Sequence, residues 1–426
     1  MPRRNPPYLW ALVLCLGQWL VAFSRQHLHA FLPQDSILVA TQSLHLSSKD
    51  LTTPQHASTT TPAVEAQQIY NHTYPPPFEI YHLHKGMNVT SVSLAIAPCL
   101  GAHRPDKDAV MTVASGYQIG HLIYFLTSLL ETGYDGDVVF GMGTDMSNET
   151  RAFLEYFAKH HNVVVYEIQL LRRNRLFQVM NFFQTVDENG SRILLEDIRQ
   201  PRQVAQLRFE YYWAWSTRYN PQSRILVTDA RDVYFQLNPF EKLPKEGLET
   251  TLHVYEDTAS IALNLPESNW VRNIYNVSVL NQIKHLPGLC SGTTLGGQPA
   301  MEMYNRAMVK EFDEHPMSRV GMDQGRHIGL ILLDKLVGSP NITTVNKIKL
   351  GSGEVNTIGV PLKNLRVPLE KWKGYDSETQ SILNDDGTPS PVVHMFDRNA
   401  LLKEIITNRT NAALLKWSNK IALAES

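Results

Sequence analysis

The chain has 426 residues, 43% of them hydrophobic and 19% charged, with a formal net charge of −2. That is the composition of a globular protein with a sizeable core, as one large domain or two smaller ones. The near balance of charge excludes nucleic acid as an electrostatic partner, because such binders present a strongly basic face.

The first residues do not read as globular. Residues 1–7 form a short basic tail containing Arg3 and Arg4, and Tyr8 to Phe23 follows without a charge. The run falls just short of the ~17–25 residues of a membrane-spanning helix. A cleaved signal peptide needs a small-residue cleavage site, and Val21-Ala22-Phe23-Ser24 is a poor one. Trp10, Trp19 and the missing A-x-A fit an uncleaved signal anchor over 8–23 better. Arg3 and Arg4 then stay cytosolic and the remainder is luminal, a single-pass type II protein of the Golgi or ER membrane. Sequons at Asn71, Asn88, Asn148, Asn189, Asn276, Asn341 and Asn408 fit a luminal chain. Residues 24–107, rich in Ser, Thr, Gln, His and Pro, keep no period of 2 or 3.6 and read as a flexible stem, with Thr59, Thr60 and Thr61 as O-glycosylation candidates. Of three cysteines, Cys15 lies in the apolar run. Cys99 and Cys290 are the luminal pair: they could form one disulfide in an oxidising compartment, or Cys290 could be a small buried residue. No CxxC or His/Cys spacing points to zinc.

From about Asp108 the pattern turns regular. Ala109–Ala114 reads as a buried strand, Ser115-Gly116-Tyr117 as a turn, and Ile119–Thr132 as a helix stopped by Gly133. Asp137–Gly141 is a strand, Asn148–His160 a helix, Val163–Glu167 a strand, and Arg202–Tyr219 a long amphipathic helix rich in aromatics. Strands alternating with helices predict βαβ units and a mostly parallel sheet, with ligands at the carboxyl ends of its strands.

The apolar strand Ile225-Leu226-Val227 then ends in Asp229-Ala230-Arg231-Asp232. Carboxylates at such an edge suit a hard divalent cation, Mn²⁺ or Mg²⁺, held against a phosphate-bearing ligand. Asp is also a common turn residue, so solvated side chains are the plainer reading. Farther on, Leu252–Tyr255 reads as a strand and Leu289–Gly297 as a strand-turn dense in small residues. Pro299–His315 and Met322–Val337 read as helices, Asn384–Gly387 as a turn and Pro391–His394 as a short strand.

Four segments together carry a family resemblance: the strand-ending DARD, CSGTTLGG from Cys290, GMDQGRHIGLI from Gly321 and NDDGTPSPVVHMFDR from Asn384. They resemble the GT-A fold of nucleotide-sugar-dependent glycosyltransferases, nearest a poorly characterised, family-8-like group of the DxD type. The resemblance covers about Asp108 to Arg398. It implies an α/β, Rossmann-like catalytic domain over 108–406, preceded by anchor and stem and followed by a C-terminal tail at 407–426. It further implies that the acidic motif binds Mn²⁺ and the donor diphosphate, that the late His394 completes the metal shell, and that transfer retains configuration. The usual motif is Asp-x-Asp, whereas here two residues separate the carboxylates, so an undisturbed strand would not put them on one face and a turn or bulge must.

The site candidates follow. Asp229, Asp232 and His394 are metal ligands, a neutral imidazole being a good Mn²⁺ donor. Asp229, Arg231, Arg208, Gly116, Tyr117, Gly292 and Thr293 are donor-binding candidates. Arg231 and Arg208 have carboxylate pairing as the alternative. Gly292, Thr293 and Thr294 read as a turn whose backbone N–H groups approach sugar or phosphate, with tight packing as the alternative. Asp323 and Gln324 are catalytic candidates beside the sugar, though Asp323 could simply be an N-cap. Trp270, after a loop-like Leu265-Pro-Glu-Ser-Asn269, is the acceptor-stacking candidate, while Tyr211, Tyr212, Trp213 and Trp215 belong to the core. The function expected is metal-dependent transfer of a hexosyl group from a nucleoside diphosphate sugar to a glycan, protein or lipid hydroxyl in the secretory pathway. Two rivals are a catalytically inactive luminal sugar-binding protein and an aspartyl-nucleophile phosphohydrolase. The latter needs its second Asp two residues on, and here it is three on.

Overall fold

The computed structural model describes residues 93–94, 97–173, 176–179, 183–186, 191–195, 201–316 and 321–424. The anchor at 8–23, most of the stem, and the sequons at Asn71, Asn88 and Asn189 lie outside them. Among the described residues no helix is long and apolar enough to cross a membrane.

After a two-residue strand β1 (Ser93–Leu94), the regular part runs β2 (Ala109–Val113), α1 (Ile119–Glu131), β3 (Asp137–Gly143), α2 (Asn148–His160) and β4 (Val163–Ile168). These strands are near-continuous apolar runs because helices cover both faces. Gly133, at φ +77°, closes α1 in the left-handed conformation open to glycine. Ser147 caps α2 by accepting the Thr150 N–H. Residues 168–201, where the sequence shows no sustained period, carry the short strands β5 (Leu170–Arg173), β6 (Leu176–Val179), β7 (Phe183–Val186) and β8 (Arg192–Leu195), paired β5–β6 and β1–β7–β8.

Helix α3 (Val204–Ser216) is shorter than expected and not amphipathic: every residue from Gln206 to Ser216 is buried, the aromatics Tyr211, Tyr212, Trp213 and Trp215 included. It leads into β9 (Arg224–Thr228), β10 (Val233–Phe235) and β11 (Thr251–Thr258). Then come α4 (Leu265–Ile274), α5 (Val277–Ile283), β12 (Gly288–Gly297), α6 (Gln298–Glu314) and α7 (Met322–Leu332). Helix α7 stops short of Val337, where Asp334 takes φ +52°. The chain closes with β13 (Thr344–Ile348), β14 (Val355–Thr357), α8 (Gly359–Lys363), β15 (Tyr375–Asp376), β16 (Ser381–Ile382), β17 (Val392–His394) and α9 (Ala400–Ala424).

The central sheet has the order β13-β11-β12-β9-β2-β3-β4, and all its pairings are parallel except those of β12 with its two neighbours. One face packs on α3, α6 and α7 through Met111, Val139, Val164, Trp215, Met301 and Ile328. The other packs on α1, α2 and α9 through Val110, Phe140, Phe125, Phe153 and Trp417. A second sheet, β10-β17-β14, rises from the carboxyl edge of the first. It is a three-layer α/β arrangement with a mostly parallel sheet.

Several expectations need correction. Gly288–Gly297 is one continuous strand, not a strand-turn, because its small residues are flanked on both sides by strands that satisfy its backbone. The Leu265–Asn269 stretch is the first half of α4, with Pro266 in the first turn, where a missing N–H costs nothing. Residues 407–424 are no tail: they continue α9, whose Trp417 is buried edge-on to Phe153.

The domain also begins before Asp108. Leu100 bridges Val165 on β4. His103 lies 2.7 Å from both Tyr166 and Tyr219 hydroxyls, and burial lowers its pKa to about 3, so it is neutral. Arg104 donates from Nε and from its backbone N–H to the fully buried Asp137, each at 2.8 Å. Nor do Cys99 and Cys290 pair. Both are free thiols, Cys99 beside β4 and Cys290 on β12. At ~4.8 Å per strand they stand ~20 Å apart across the sheet, beyond the ~7 Å Cα limit of a disulfide. Asn148, Asn276 and Asn408 are exposed, and Asn341 is half-buried.

Candidate functional site

The bend that the Asp-x-x-Asp spacing demands is present. Strand β9 ends at Thr228, the four motif residues turn, and β10 starts at Val233. Asp229 is fixed by its backbone N–H donating to the Gly292 carbonyl on β12, at 2.9 Å. The Asp232 carbonyl accepts from Met395 N–H at 2.8 Å, which ties it to the segment after β17. His394 ends β17, in register with Val233 on one side and Thr357 on the other.

Those three anchors bring the side chains together. His394 Nε2 is 3.5 Å from Asp229 Oδ2 and 3.9 Å from Asp232 Oδ1. One ligand atom from each of Asp229, Asp232 and His394 lies within 4.8 Å of the others. His394 is 1% exposed, and its Nε2 is buried without a hydrogen bond of its own, while Nδ1 faces Thr357 Oγ1 at 3.4 Å and Cys290 Sγ at 3.6 Å. A buried nitrogen facing two carboxylates can share a proton with them or, once deprotonated, join them in holding a cation. The oxygen-plus-imidazole set suits Mn²⁺ and also accommodates Mg²⁺.

The local electrostatics are uneven. Burial pushes Asp229 up, but the Arg208 guanidinium and then the His394 imidazole reverse this and hold it well below the usual carboxylate range. Burial and the neighbouring Asp229 charge leave Asp232 raised. Burial alone would lower His394, yet its anionic neighbours hold its proton to well above the ordinary value. Cys290 is itself raised by burial and stays a neutral thiol at pH 7, so the two carboxylates are the groups that retain that proton.

The glycine at 292 has a clear reason. A β-carbon there would sit 2.5 Å from His394 Cε1 and 2.7 Å from Asp229 Oδ2, so only glycine lets β12 pass beneath the triad. Thr293 beside it is fully buried, in register with Thr228 on β9, and its Oγ1 has no hydrogen-bond partner. Arg208 does not face outward to a diphosphate: it is buried, ion-paired to Asp229, and donates through Nη2 to Asp323 at 2.9 Å and to the Ser291 carbonyl at 3.1 Å. Asp323 is not the N-cap of α7, a position Gly321 holds; it accepts from Arg208 and from Ser291 Oγ at 3.2 Å. Arg231 is exposed, 3.8 Å from Asp232 and 4.0 Å from Asp397. Gly116, at φ +81°, and the half-buried Tyr117, stacked on His121, lie past the end of β2. Tyr117 is raised by burial and by the charge of Asp229. Trp270 is half-buried, its indole closely covering Gly321 at the start of α7.

No protein-family model and no curated protein matches the chain. Among solved structures, two of the galactosyltransferase LgtC are similar to it. One, in complex with donor and acceptor sugar analogues, is 11% identical and covers 72% of this chain and 94% of that one at a TM-score of 0.40. The other, an active-site mutant, is 10% identical and covers 67% and 86% at a TM-score of 0.36.

Residues not anticipated from the sequence complete the site. Arg398 stands 3.9 Å from Asp232 and pairs with Asp397, three and four residues past His394. Gln324 spends its amide Nε2 on two buried acids, Asp257 Oδ2 at 2.9 Å and Glu267 Oε1 at 3.0 Å. Burial, reinforced by the Asp257 charge, raises Glu267 to about 9, and burial raises Asp257 as well. The two acids hold a proton between them at pH 7. A carboxyl raised on folding contributes stability that is complete below its unfolded pKa of ~4.5 and fades as pH climbs toward the folded value. Stability should therefore decline from about pH 5 to pH 9, by on the order of several kcal/mol. Glu267→Gln, permanently neutral, should flatten that decline in urea melts at pH 5.5, 7.0 and 8.5. An unchanged slope in the variant would refute the shared proton.

Proposed function

We propose that the chain is a divalent-cation-dependent glycosyltransferase of GT-A type that moves a hexosyl group from a nucleoside diphosphate sugar to a hydroxyl acceptor. The observation that carries this reading is the convergence of Asp229, Asp232 and the buried Nε2 of His394 at the carboxyl edge of a mostly parallel sheet. A Mn²⁺ or Mg²⁺ ion held by these residues would supply Lewis-acid neutralisation of the charge that develops on a leaving diphosphate. Exposed Arg231 and Arg398, at the rim beside Asp232, are placed to clamp phosphate oxygens in bidentate fashion. Arg208, enclosed between Asp229 and Asp323, positions those carboxylates. Gln324, with its N–H groups committed to Asp257 and Glu267, has its carbonyl oxygen left as the group to meet a sugar. Half-buried Tyr117, near Asp229, would offer a surface to the donor, and Trp270, half-buried over Gly321 at the start of α7, would offer one to an acceptor ring. The charge-free run after Arg3 and Arg4 and the sequons beyond it support a type II membrane protein with this domain in the Golgi or ER lumen.

The decisive measurement is a thermal-shift screen of the purified protein against nucleoside diphosphate sugars, with Mn²⁺ and with EDTA. One donor should raise the melting temperature by several degrees with Mn²⁺ and not with EDTA, as ligand linkage requires. If every nucleotide sugar is silent under both conditions, the transferase reading falls.

A further inference from the structure

We propose that a second site, on the far side of the small β10-β17-β14 sheet, binds a pyranose unit of a carbohydrate. Neighbouring residues of a strand face opposite sides of its sheet. On β14, Thr357 pairs with His394 and faces the cation cluster, whereas Asn356 pairs with Val393 and faces away. On that far face lies a cavity of about 290 Å³, walled by the loop after β13, by Trp372 to Gly374 and by the turn at Asn384 to Gly387. Its size is at the lower end of the ~300–1,000 Å³ of small-molecule sites and roughly ten times the ~30 Å³ of one water.

Chemistry at the walls selects the ligand class. Asn384 is 8% exposed; its Nδ2 donates to the Gly353 carbonyl at 3.1 Å, while its Oδ1 is buried without any partner. Turning the amide over would merely orphan the nitrogen instead. Asn384 lines the cavity, and a rotation of its amide would present the unpaired oxygen to a ligand hydroxyl, which can both donate and accept. Buried Asn356 brings a second amide to the same cavity. The Trp372 indole forms a flat wall held against Gly374, where a β-carbon would come within 2.5 Å of the ring. At the mouth, Asp385 and Lys373 are exposed and 3.8 Å apart. That rim is neutral in sum, which disfavours an anion or cation, and the paired amides disfavour an apolar guest. A pyranose offers a C–H face for the indole and hydroxyls for the amides and carboxylate.

Saturation-transfer NMR of the full-length protein with a panel of methyl pyranosides (gluco, galacto, manno and xylo, both anomers), in EDTA, tests the assignment. At least one glycoside should receive saturation. Asp385→Ala, a surface change, should weaken its binding at least tenfold without altering the denaturation midpoint by more than the scatter of wild-type repeats. Trp372→Leu, whose indole also packs on the small core of Tyr234, Ile358 and Val393, should weaken it as much at a temperature where the variant is still folded. Asp229→Asn should leave it intact. Silence from the whole panel, binding that survives both pocket variants, or binding lost in Asp229→Asn would overturn the proposal. Because EDTA removes the cation, the outcome is independent of whether the chain uses a nucleotide sugar.

Discussion

Replacing Arg208 by methionine should lower the stability of the cation-free protein by about 3 kcal/mol or more. The guanidinium is the buried counter-charge of both Asp229 and Asp323. Methionine keeps the apolar stem but leaves two carboxylates facing each other, one only 8% exposed and the other partly reached by solvent. The loss should shrink when the same Mn²⁺ concentration is added to both proteins, because a cation on Asp229 replaces a charge that is missing only in the variant and so stabilises the variant more. It should shrink too in Arg208→Met/Asp323→Asn, which removes one stranded charge. Urea denaturation with EDTA and with MnCl₂ reads all of this. A loss below ~1 kcal/mol, or one indifferent to Mn²⁺, would show that Arg208 is not what balances the site.

His394→Ala carries the second large effect. Removing the only nitrogen ligand of the triad should weaken Mn²⁺ binding on the order of 100-fold or more, since even loss of an outer partner costs a metal site 10–100-fold. Titration calorimetry is the direct measure. In the wild-type protein the affinity should also rise with pH. His394 holds its proton to above the ordinary value and Asp232 is likewise raised, so the cation must displace a proton to bind. Proton release, seen as a buffer-dependent enthalpy, should vanish in large part in His394→Ala. Unchanged Mn²⁺ affinity in that variant would remove the imidazole from the shell.

The sequence made the frame legible where burial and period agree. β2, β3, β4 and β9 are apolar runs covered on both faces, and Ser147 and Gly133 mark helix ends, so these elements fall within a few residues of their expected limits. Asp229, Asp232 and His394 were legible as types at strand ends, but their meeting depends on a bend and a second sheet that no local pattern encodes. β12 does not read as one strand because Gly292, Gly296 and Gly297 are poor strand formers; two flanking strands and the need to pass under His394 override that preference. The Asp257–Glu267 pair is not legible because its members come from a strand and from a helix that begins with Leu-Pro, and they meet only in the fold, bonded to each other and to Gln324. The hairpins of 170–195 are four residues per strand, too short for a period to register.

The latch formed by Leu100, His103 and Arg104 gives the molecule a mechanical axis. Tension on the chain just before Cys99 enters the central sheet at β4, the edge strand farthest from β13, through the Leu100–Val165 bridge and then the Arg104–Asp137 bonds. β3 and β2 stand between that edge and β9, where the carboxylates sit. A pull at this end would therefore load the sheet's periphery before it reached Asp229, Asp232 and His394.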